Sequence, residues 1–179
     1  GVRAQLHSPW GTGLIESQLL GPYNLSNILA VIASACSQGL SLDAVLSKVP
    51  GLVAVAGRMQ SIDVQADVQI VVDYAHTPDA VEKLLAAVRA LSTGRFIIVF
   101  GCGGDRDRKK RPLMAQAVAQ SSDLALATSD NPRTEDPVAI LVDVEAGLND
   151  MQRVDIDALD ASARAYSVVV DRREAVAHA

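Results

Sequence analysis

The chain has 179 residues, of which 49% are hydrophobic and 3% aromatic, and its formal net charge at pH 7 is −5. This length allows one domain or one and a part, with a core of aliphatic side chains. The negative charge argues against general binding to nucleic acid or membrane surfaces, and no run of about 18 apolar residues predicts a membrane span. Two cysteines without CxxC spacing predict no zinc site and a reduced, cytoplasmic setting. Because the sequence begins Gly-Val-Arg without Met, we expect it to be a piece of a longer protein.

The first fifty residues are predicted to form a strand hairpin followed by two helices. Weak alternation of polar and apolar residues around a Pro and Gly turn predicts the strands. Gly39 is placed to end the first helix in a left-handed conformation, and Ser41 to cap the second. The predicted strands are Val2–Ser8 and Thr12–Leu19, and the helices extend from about 21 to 38 and from about 42 to 49.

Asn24 and Asn27 are three residues apart and therefore share one face of the first helix. Asn in a first turn is usually a cap, which is the simple interpretation of Asn24. Asn27 lies deeper in the helix, where Asn has no propensity advantage. A ligand contact is therefore more plausible for Asn27.

From Ser61 onward the predicted strands and helices alternate, as in a doubly wound, mostly parallel α/β sheet. We place a domain boundary near Gly57, and we expect residues 150–166 to be irregular. The predicted strands are Ile70–Asp73, Arg95–Phe100, Leu124–Ala127 and Ser167–Val170, and the helices are Pro78–Leu91, Pro112–Gln120, Pro137–Gly147 and Asp171 onward.

A glycine-rich basic loop follows the second of these strands. Residues 101–112 spell Gly-Cys-Gly-Gly-Asp-Arg-Asp-Arg-Lys-Lys-Arg-Pro, with five basic residues against two acids. Its three glycines allow close approach of the backbone to a ligand, and open α/β sheets bind anions at the carboxyl ends of their strands. A solvated basic loop is the alternative, but the strand before it and the helix after it favour an anion site.

Polar loops also follow the first and third predicted strands, and parallel strands would place all three loops at one edge of the sheet. Two guanidinium groups there would suit a ligand with a carboxylate, which guanidinium binds bidentately. Each candidate has a structural alternative: His76 or Thr77 as a helix cap, Asp73 as a turn residue, and Arg133 as a solvated turn tip. The side chains expected in this cleft are Asp73, His76, Arg106, Lys109, Asn131 and Arg133.

Four motifs, in this order along the chain, resemble those of the Mur ligases. Asn24-Leu-Ser-Asn27 before an alanine-rich helix also resembles the central domain of that family, so the resemblance covers nearly the whole chain. Gln60 departs from the commoner Glu of the first motif. The motifs are Gly57-Arg-Met-Gln60, Asp73-Tyr-Ala-His-Thr-Pro78, the loop 101–112 and Asp130-Asn-Pro-Arg133.

The resemblance implies that residues 1–56 are the end of a central ATP-binding domain and that residues 57–179 are a Rossmann-like C-terminal α/β domain, truncated at its end. It implies an ATP- and Mg²⁺-dependent amide-bond ligase of peptidoglycan synthesis that works through an acyl phosphate. The implied substrates are meso-2,6-diaminopimelate and a UDP-N-acetylmuramoyl dipeptide, with no nucleic-acid or membrane partner. The motif positions imply nucleotide contacts from Asn27, Arg58, Asp73 and His76, and amino-acid contacts from Arg106, Asp130, Asn131, Pro132 and Arg133.

Neither a P-loop nor a Gly-Lys-Gly-His-Glu motif occurs in these residues. Without a P-loop little would hold the triphosphate, so we expect the chain alone not to catalyse, and the resemblance assigns no catalytic residue and no metal ligand here. Two alternatives stay open: a sister ligase, lysine-adding or of folylpolyglutamate type, and a non-catalytic nucleotide- or amino-acid-binding α/β domain. Against the latter, no Gly-x-Gly-x-x-Gly opens the first strand-to-helix turn.

Overall fold

The computed structural model describes residues 1–91 and 93–179, which divide into two compact units, Gly1–Tyr74 and Ala75–Ala179. The domain boundary predicted near Gly57 lies inside the first unit, and the assignment of 1–56 and 57–179 to separate domains stays a prediction. No helix among the described residues has the length and apolar character needed to cross a bilayer.

The first unit begins with the predicted hairpin. Strands β1 (Val2–Ser8) and β2 (Gly11–Ser17) pair antiparallel. Helix α1 (Pro22–Ser37) buries Ile28, Ile32 and Cys36, which are four residues apart and so share one face. This face forms a core with side chains of the hairpin. The second helix, α2 (Leu42–Leu46), is shorter than predicted and is followed by a 3₁₀ turn, Val49–Gly51.

A second hairpin closes this unit and corrects the sequence interpretation. Strand β3 (Gln60–Ile62) pairs antiparallel with β4 (Ile70–Val72), so the prediction that Ile70–Asp73 is the first strand of the parallel sheet is wrong. The β-branched run predicted a strand but not the sheet that it joins. Ile70 and Val72 are 43% and 44% exposed, whereas the central strands of a parallel sheet are buried on both faces.

The second unit is a four-stranded, wholly parallel sheet with helices on both faces, which confirms the α/β fold class. Ala125 and Ala127 face the core shared with α3, α4 and α5, and Leu124 and Leu126 face the core shared with α6. This alternation is the period of two that a strand imposes. In the order of the sheet the strands are β5 (Ile97–Phe100), β6 (Leu124–Thr128), β8 (Ala165–Val169) and β7 (Gln152–Arg153), and the helices are α3 (Pro78–Arg89), α4 (Lys110–Ser121), α5 (Pro137–Glu145) and α6 (Arg172–His178).

Several element boundaries in this unit differ from the prediction by one or two residues, and one segment differs in kind. Helix α4 begins at Lys110, so Pro112 is its third residue rather than its first. Strand β8 begins at Ala165 rather than at Ser167. The segment 150–166, predicted to be irregular, contains β7, a 3₁₀ turn at Ile156–Ala158 and the start of β8. Strand β7 was missed because it has only two residues, both polar.

Candidate functional site

Two loops lie against each other at the carboxyl edge of the sheet, one after β5 and one after β6. The Gly104 N–H donates to the carbonyl oxygen of Asn131 at 2.9 Å. A Cβ at Gly104 would overlap the Pro132 carbonyl, and one at Gly101 would overlap the Thr128 carbonyl. These two glycines therefore permit close approach of the second loop, and only Gly103, whose Cβ would lie 3.8 Å from Asn131, keeps the room expected for a ligand.

Hydrogen bonds among Asp105, Thr134 and Glu135 join the tips of the two loops, and we call this group of bonds the clasp. The Asp105 carboxylate accepts hydrogen bonds from the Thr134 hydroxyl at 2.7 Å and from its N–H at 3.3 Å. The Asp105 N–H donates to Glu135 Oε1 at 2.6 Å. Asp105 and Arg133 have φ values of 51° and 52°, a left-handed conformation that is uncommon for residues other than glycine. The clasp supports this backbone, and strain of this kind concentrates at functional sites.

The clasp places three predicted site residues, Arg106, Asn131 and Arg133, on adjoining loops. Arg106 follows Asp105 directly, and Arg133 precedes Thr134 directly, so each guanidinium is one residue from the clasp. All three side chains are exposed. Within the described residues, neither the Arg106 nor the Arg133 guanidinium takes part in an ion pair or hydrogen bond. Two unpaired cations on adjoining loops suit an anionic ligand, above all a carboxylate.

Two other arginines of the basic loop are held by acids. Arg111 is 2% exposed, and its guanidinium donates to Glu135 at 2.6 and 3.0 Å, to Asp143 at 2.8 Å and to the Gly103 carbonyl at 3.3 Å. Arg108 donates to both oxygens of Asp143, at 2.9 and 3.0 Å. Arg108 and Arg111 are therefore paired with acids, and their charges are not available to a ligand as the sequence had suggested.

These ion pairs lower the pKa values of the two acids that hold Arg108 and Arg111. The hydrogen bond from Arg111 is the main reason that the pKa of Glu135 lies below its usual value. Hydrogen bonds from Arg108 and then Arg111 lower the pKa of Asp143, although burial opposes them. Both acids therefore stay ionised at neutral pH. Sequence reasoning missed Glu135 and the burial of Arg111, and the one signal for Glu135 was an acid two residues after Arg133.

Cys102 is not a nucleophile candidate. Its side chain is buried, and its Sγ lies 4.0 Å from Met114 Sδ. Burial, opposed in part by Arg111, raises the pKa of the thiol to about 11. The protonated thiol is the unreactive form, so the role of Cys102 is to pack in the hydrophobic core.

In the first unit, Asp73 organises a tight turn at residues 57–60. Its carboxylate accepts the Met59 N–H at 2.7 Å, and Met59 is buried with φ of 47°. Gln60, the residue that departs from the family pattern, accepts the Gly57 N–H at 2.9 Å. The turn presents Arg58, whose guanidinium carbon lies 5.3 Å from the centre of the Tyr74 ring.

The two asparagines of α1 are linked to each other. Asn24 donates to the Leu20 carbonyl at 2.6 Å and so fastens the entry of the helix. Asn27 is exposed and donates to the Asn24 side-chain oxygen at 3.4 Å. The predicted ligand contact of Asn27 stays a prediction.

His76 lies just before Thr77, the N-cap of α3, whose hydroxyl accepts the Ala80 N–H at 3.4 Å. The strand that precedes His76 is outside the parallel sheet, so the predicted alignment of three loops at one edge is wrong for this loop. The sheet brings together only the loops of Arg106 and Arg133. The predicted contact of His76 with the same ligand stays a prediction.

A parallel sheet with helices on both faces and two polar loops at its carboxyl edge defines a Rossmann-like α/β domain. Residues 57–179 match the family described as "Mur ligase, glutamate ligase domain". The chain therefore belongs to the Mur ligase family.

The chain is 44% identical over 180 positions to the "UDP-N-acetylmuramoyl-L-alanyl-D-glutamate--2,6-diaminopimelate ligase" of Geobacter sulfurreducens, over 98% of this chain and 35% of that protein. It is 50% identical over 147 positions to the protein of the same name from Ectopseudomonas mendocina, over 82% of this chain and 30% of that one. A solved structure with this name has a TM-score of 0.62 and 41% identity, over 97% of this chain and 33% of its own. The chain thus spans about a third of the length of the curated relatives it matches.

A structure titled "UDP-N-acetylmuramoylalanyl-D-glutamyl-2,6-diaminopimelate--D-alanyl-D-alanyl ligase from Acinetobacter baumannii" has a TM-score of 0.67 at 16% identity, over 98% of this chain and 40% of its own. A likeness at this identity shows the shared fold alone.

Proposed function

We propose that this chain is part of an ATP-dependent amide-bond ligase that adds meso-2,6-diaminopimelate to UDP-N-acetylmuramoyl-L-alanyl-D-glutamate in peptidoglycan synthesis. The observation that carries the proposal is the clasped pair of loops, which presents Arg106 beside the sequence Asp130-Asn131-Pro132-Arg133. The names and identities of the relatives support the same substrates. A requirement for ATP supports a cytoplasmic location.

The loop pair suits the far end of diaminopimelate. One amino group of this substrate is the nucleophile, and the other end carries a second carboxylate and a second amine. Arg106 and Arg133 are proposed to bind that carboxylate through charge-assisted hydrogen bonds. Asn131 adds a donor and an acceptor, and Asp130 and Pro132 complete the loop that presents them. Lysine has no second carboxylate, so it would leave this pair of cations unsatisfied.

The reaction divides into two substitutions. One of the two free carboxylates of the glutamate in the UDP-linked dipeptide takes the terminal phosphoryl group of ATP and becomes an acyl phosphate, with release of ADP. The amine of diaminopimelate then attacks the acyl carbon, inorganic phosphate leaves with the bonding electrons, and the nitrogen loses a proton. The protein contributes mainly positioning and charge neutralisation.

Asn27, Arg58, Asp73 and His76 are proposed to line the nucleotide site. The turn that Asp73 fastens through the Met59 N–H supports this role for the exposed Arg58. In residues 1–91 and 93–179 no three His, Cys, Asp or Glu side chains cluster as metal ligands. Mg²⁺ commonly binds through phosphates, waters and only one or two carboxylates, so we assign no protein ligand to it.

The test joins these 179 residues to the rest of the G. sulfurreducens ligase in place of its aligned segment; we call this protein the grafted ligase. Phosphate release is measured with ATP, the UDP-linked dipeptide and either meso-diaminopimelate or L-lysine, and the unaltered G. sulfurreducens protein is the positive control. We expect diaminopimelate to be preferred by about 10- to 100-fold, the value of one or two hydrogen bonds between charged groups.

Equal or greater release with lysine would contradict the proposal and favour a sister ligase. Release with neither amino acid, when the positive control is active, would favour a non-catalytic binding domain. The 179-residue chain alone, which has no P-loop, is expected to release no phosphate in the same assay.

A further inference from the structure

The buried Arg111 contacts both loops of the candidate amino-acid site. Its side chain is 2% exposed and donates to the Gly103 carbonyl of the first loop and to Glu135 of the second. Burial of an unpaired charge is costly, so such a residue persists only where its partners are fixed around it. The same guanidinium also binds Asp143 on α5. Arg111 thus joins both loops to the helical layer.

Glu135 connects this buried cation to the exposed tips of the loops. Its Oε1 accepts hydrogen bonds from Arg111 at 2.6 Å and from the Asp105 N–H at 2.6 Å, while its Oε2 accepts from Arg111 at 3.0 Å. The residue after Asp105 is Arg106, and Glu135 itself lies two residues after Arg133. One carboxylate therefore fixes the spacing between the two backbone segments that carry the unpaired guanidinium groups.

We propose that Glu135, held by the buried Arg111, is a positioning residue that sets the spacing of Arg106 and Arg133 for the carboxylate of the amino-acid substrate. The inference rests on the proposed function, since it assigns no ligand of its own. Arg106 and Arg133 contact the substrate, and Glu135 acts through them. Displacement of such contacts by about 1 Å can cost about 100-fold.

The test compares Glu135→Gln with Arg108→Gln in the grafted ligase. Glu135→Gln keeps the shape of the side chain but removes its negative charge, and whichever oxygen the donor NH₂ replaces, at least one hydrogen bond from Arg111 is lost. We expect its KM for meso-diaminopimelate to rise about 10- to 100-fold, with the KM for ATP within about twofold. Arg108→Gln removes a charge from the first loop, but the Arg108 side chain pairs only with Asp143, so both KM values should stay within about twofold.

An unchanged KM for diaminopimelate in Glu135→Gln would overturn the inference, as would equal rises in both KM values. If Glu135→Gln does not fold, Glu135→Asp carries the test, because it keeps the charge but shortens the reach, and it should raise the same KM selectively by a smaller factor.

A failure of the proposed function itself would show as an unmutated grafted ligase that does not use diaminopimelate. The inference is then tested on the 179-residue chain by NMR. Glu135→Gln should shift the backbone amides of Asp105, Arg106 and Arg133, and Arg108→Gln should not. Unmoved amides in Glu135→Gln would refute the positioning role.

Discussion

Replacement of Arg111 by Met should destabilise the second unit by about 2–3 kcal/mol. Removal of one partner from a buried ion pair costs about 3–5 kcal/mol, because the other charge stays behind unpaired. Here the Glu135 and Asp143 side chains are 26% and 23% exposed, so water can reach both, and Asp143 keeps Arg108. The Arg111 Nε atom is buried without a partner, and its removal should offset about 1 kcal/mol of this loss of stability.

The assay is native-state hydrogen exchange of the buried β6 amides, such as those of Leu126 and Ala127, which report the stability of this unit. The matched control is Arg95→Gln, which breaks an exposed pair with Asp160 and should cost about 0–1 kcal/mol. A loss below about 1 kcal/mol in Arg111→Met, no larger than that of the control, would refute the assigned role of the buried cation.

Three further outcomes are expected. Gly104→Ala should cost about 1–3 kcal/mol by overlap with the facing loop, and an unchanged melting temperature would contradict this close approach. Cys102, whose pKa is raised to about 11, should have only about one thiolate in a thousand at pH 8 and react with iodoacetamide rapidly only after unfolding; rapid reaction of the native chain would contradict this. Burial alone would raise the pKa of Asp123, but the Phe96 N–H and Arg89 hold it below its usual value. The stabilising effect of the ionised Asp123 is therefore present above about pH 4 and is lost as pH falls further. The urea midpoint of the unaltered chain should fall between pH 5 and 3 more steeply than that of Asp123→Asn. Equal slopes would contradict this effect of Asp123.

The sequence predicted the helices and strands of the second unit well, because the spacing of apolar residues there reflects which side chains are buried. Strand β6 is a short apolar run, and its neighbours on both sides bury it completely. The helix start at Asp171 was visible from its acceptor side chain, which binds the N–H groups of Arg173 and Glu174 at 2.8 and 3.0 Å. Such local signals depend on a few adjacent residues and need no tertiary information.

The errors concern long-range pairing. The run Ile70–Val72 predicted a strand, but its antiparallel partner is a three-residue strand with no hydrophobic pattern of its own. Arg111 was counted with the ligand-binding charges, because its burial depends on acids 24 and 32 residues away. The closeness of Arg106 and Arg133, in contrast, followed from one general property, that parallel strands end at the same edge.

The role of Glu135 was not predictable, because it depends on a hydrogen bond to a left-handed Asp105. Non-glycine residues rarely adopt this conformation, and sequence composition does not indicate it. Strained positions of this kind are where sequence rules are expected to fail at functional sites.

The most direct test of the account is the effect of Arg133→Ala on amino-acid selectivity in the grafted ligase. The account predicts that kcat/KM for meso-diaminopimelate falls about 10- to 100-fold, the value of a charged hydrogen-bonding partner, while the residual turnover of L-lysine stays within about threefold. Equal losses for both amino acids, or no loss for diaminopimelate, would contradict the claim that the clasped loops recognise the second carboxylate.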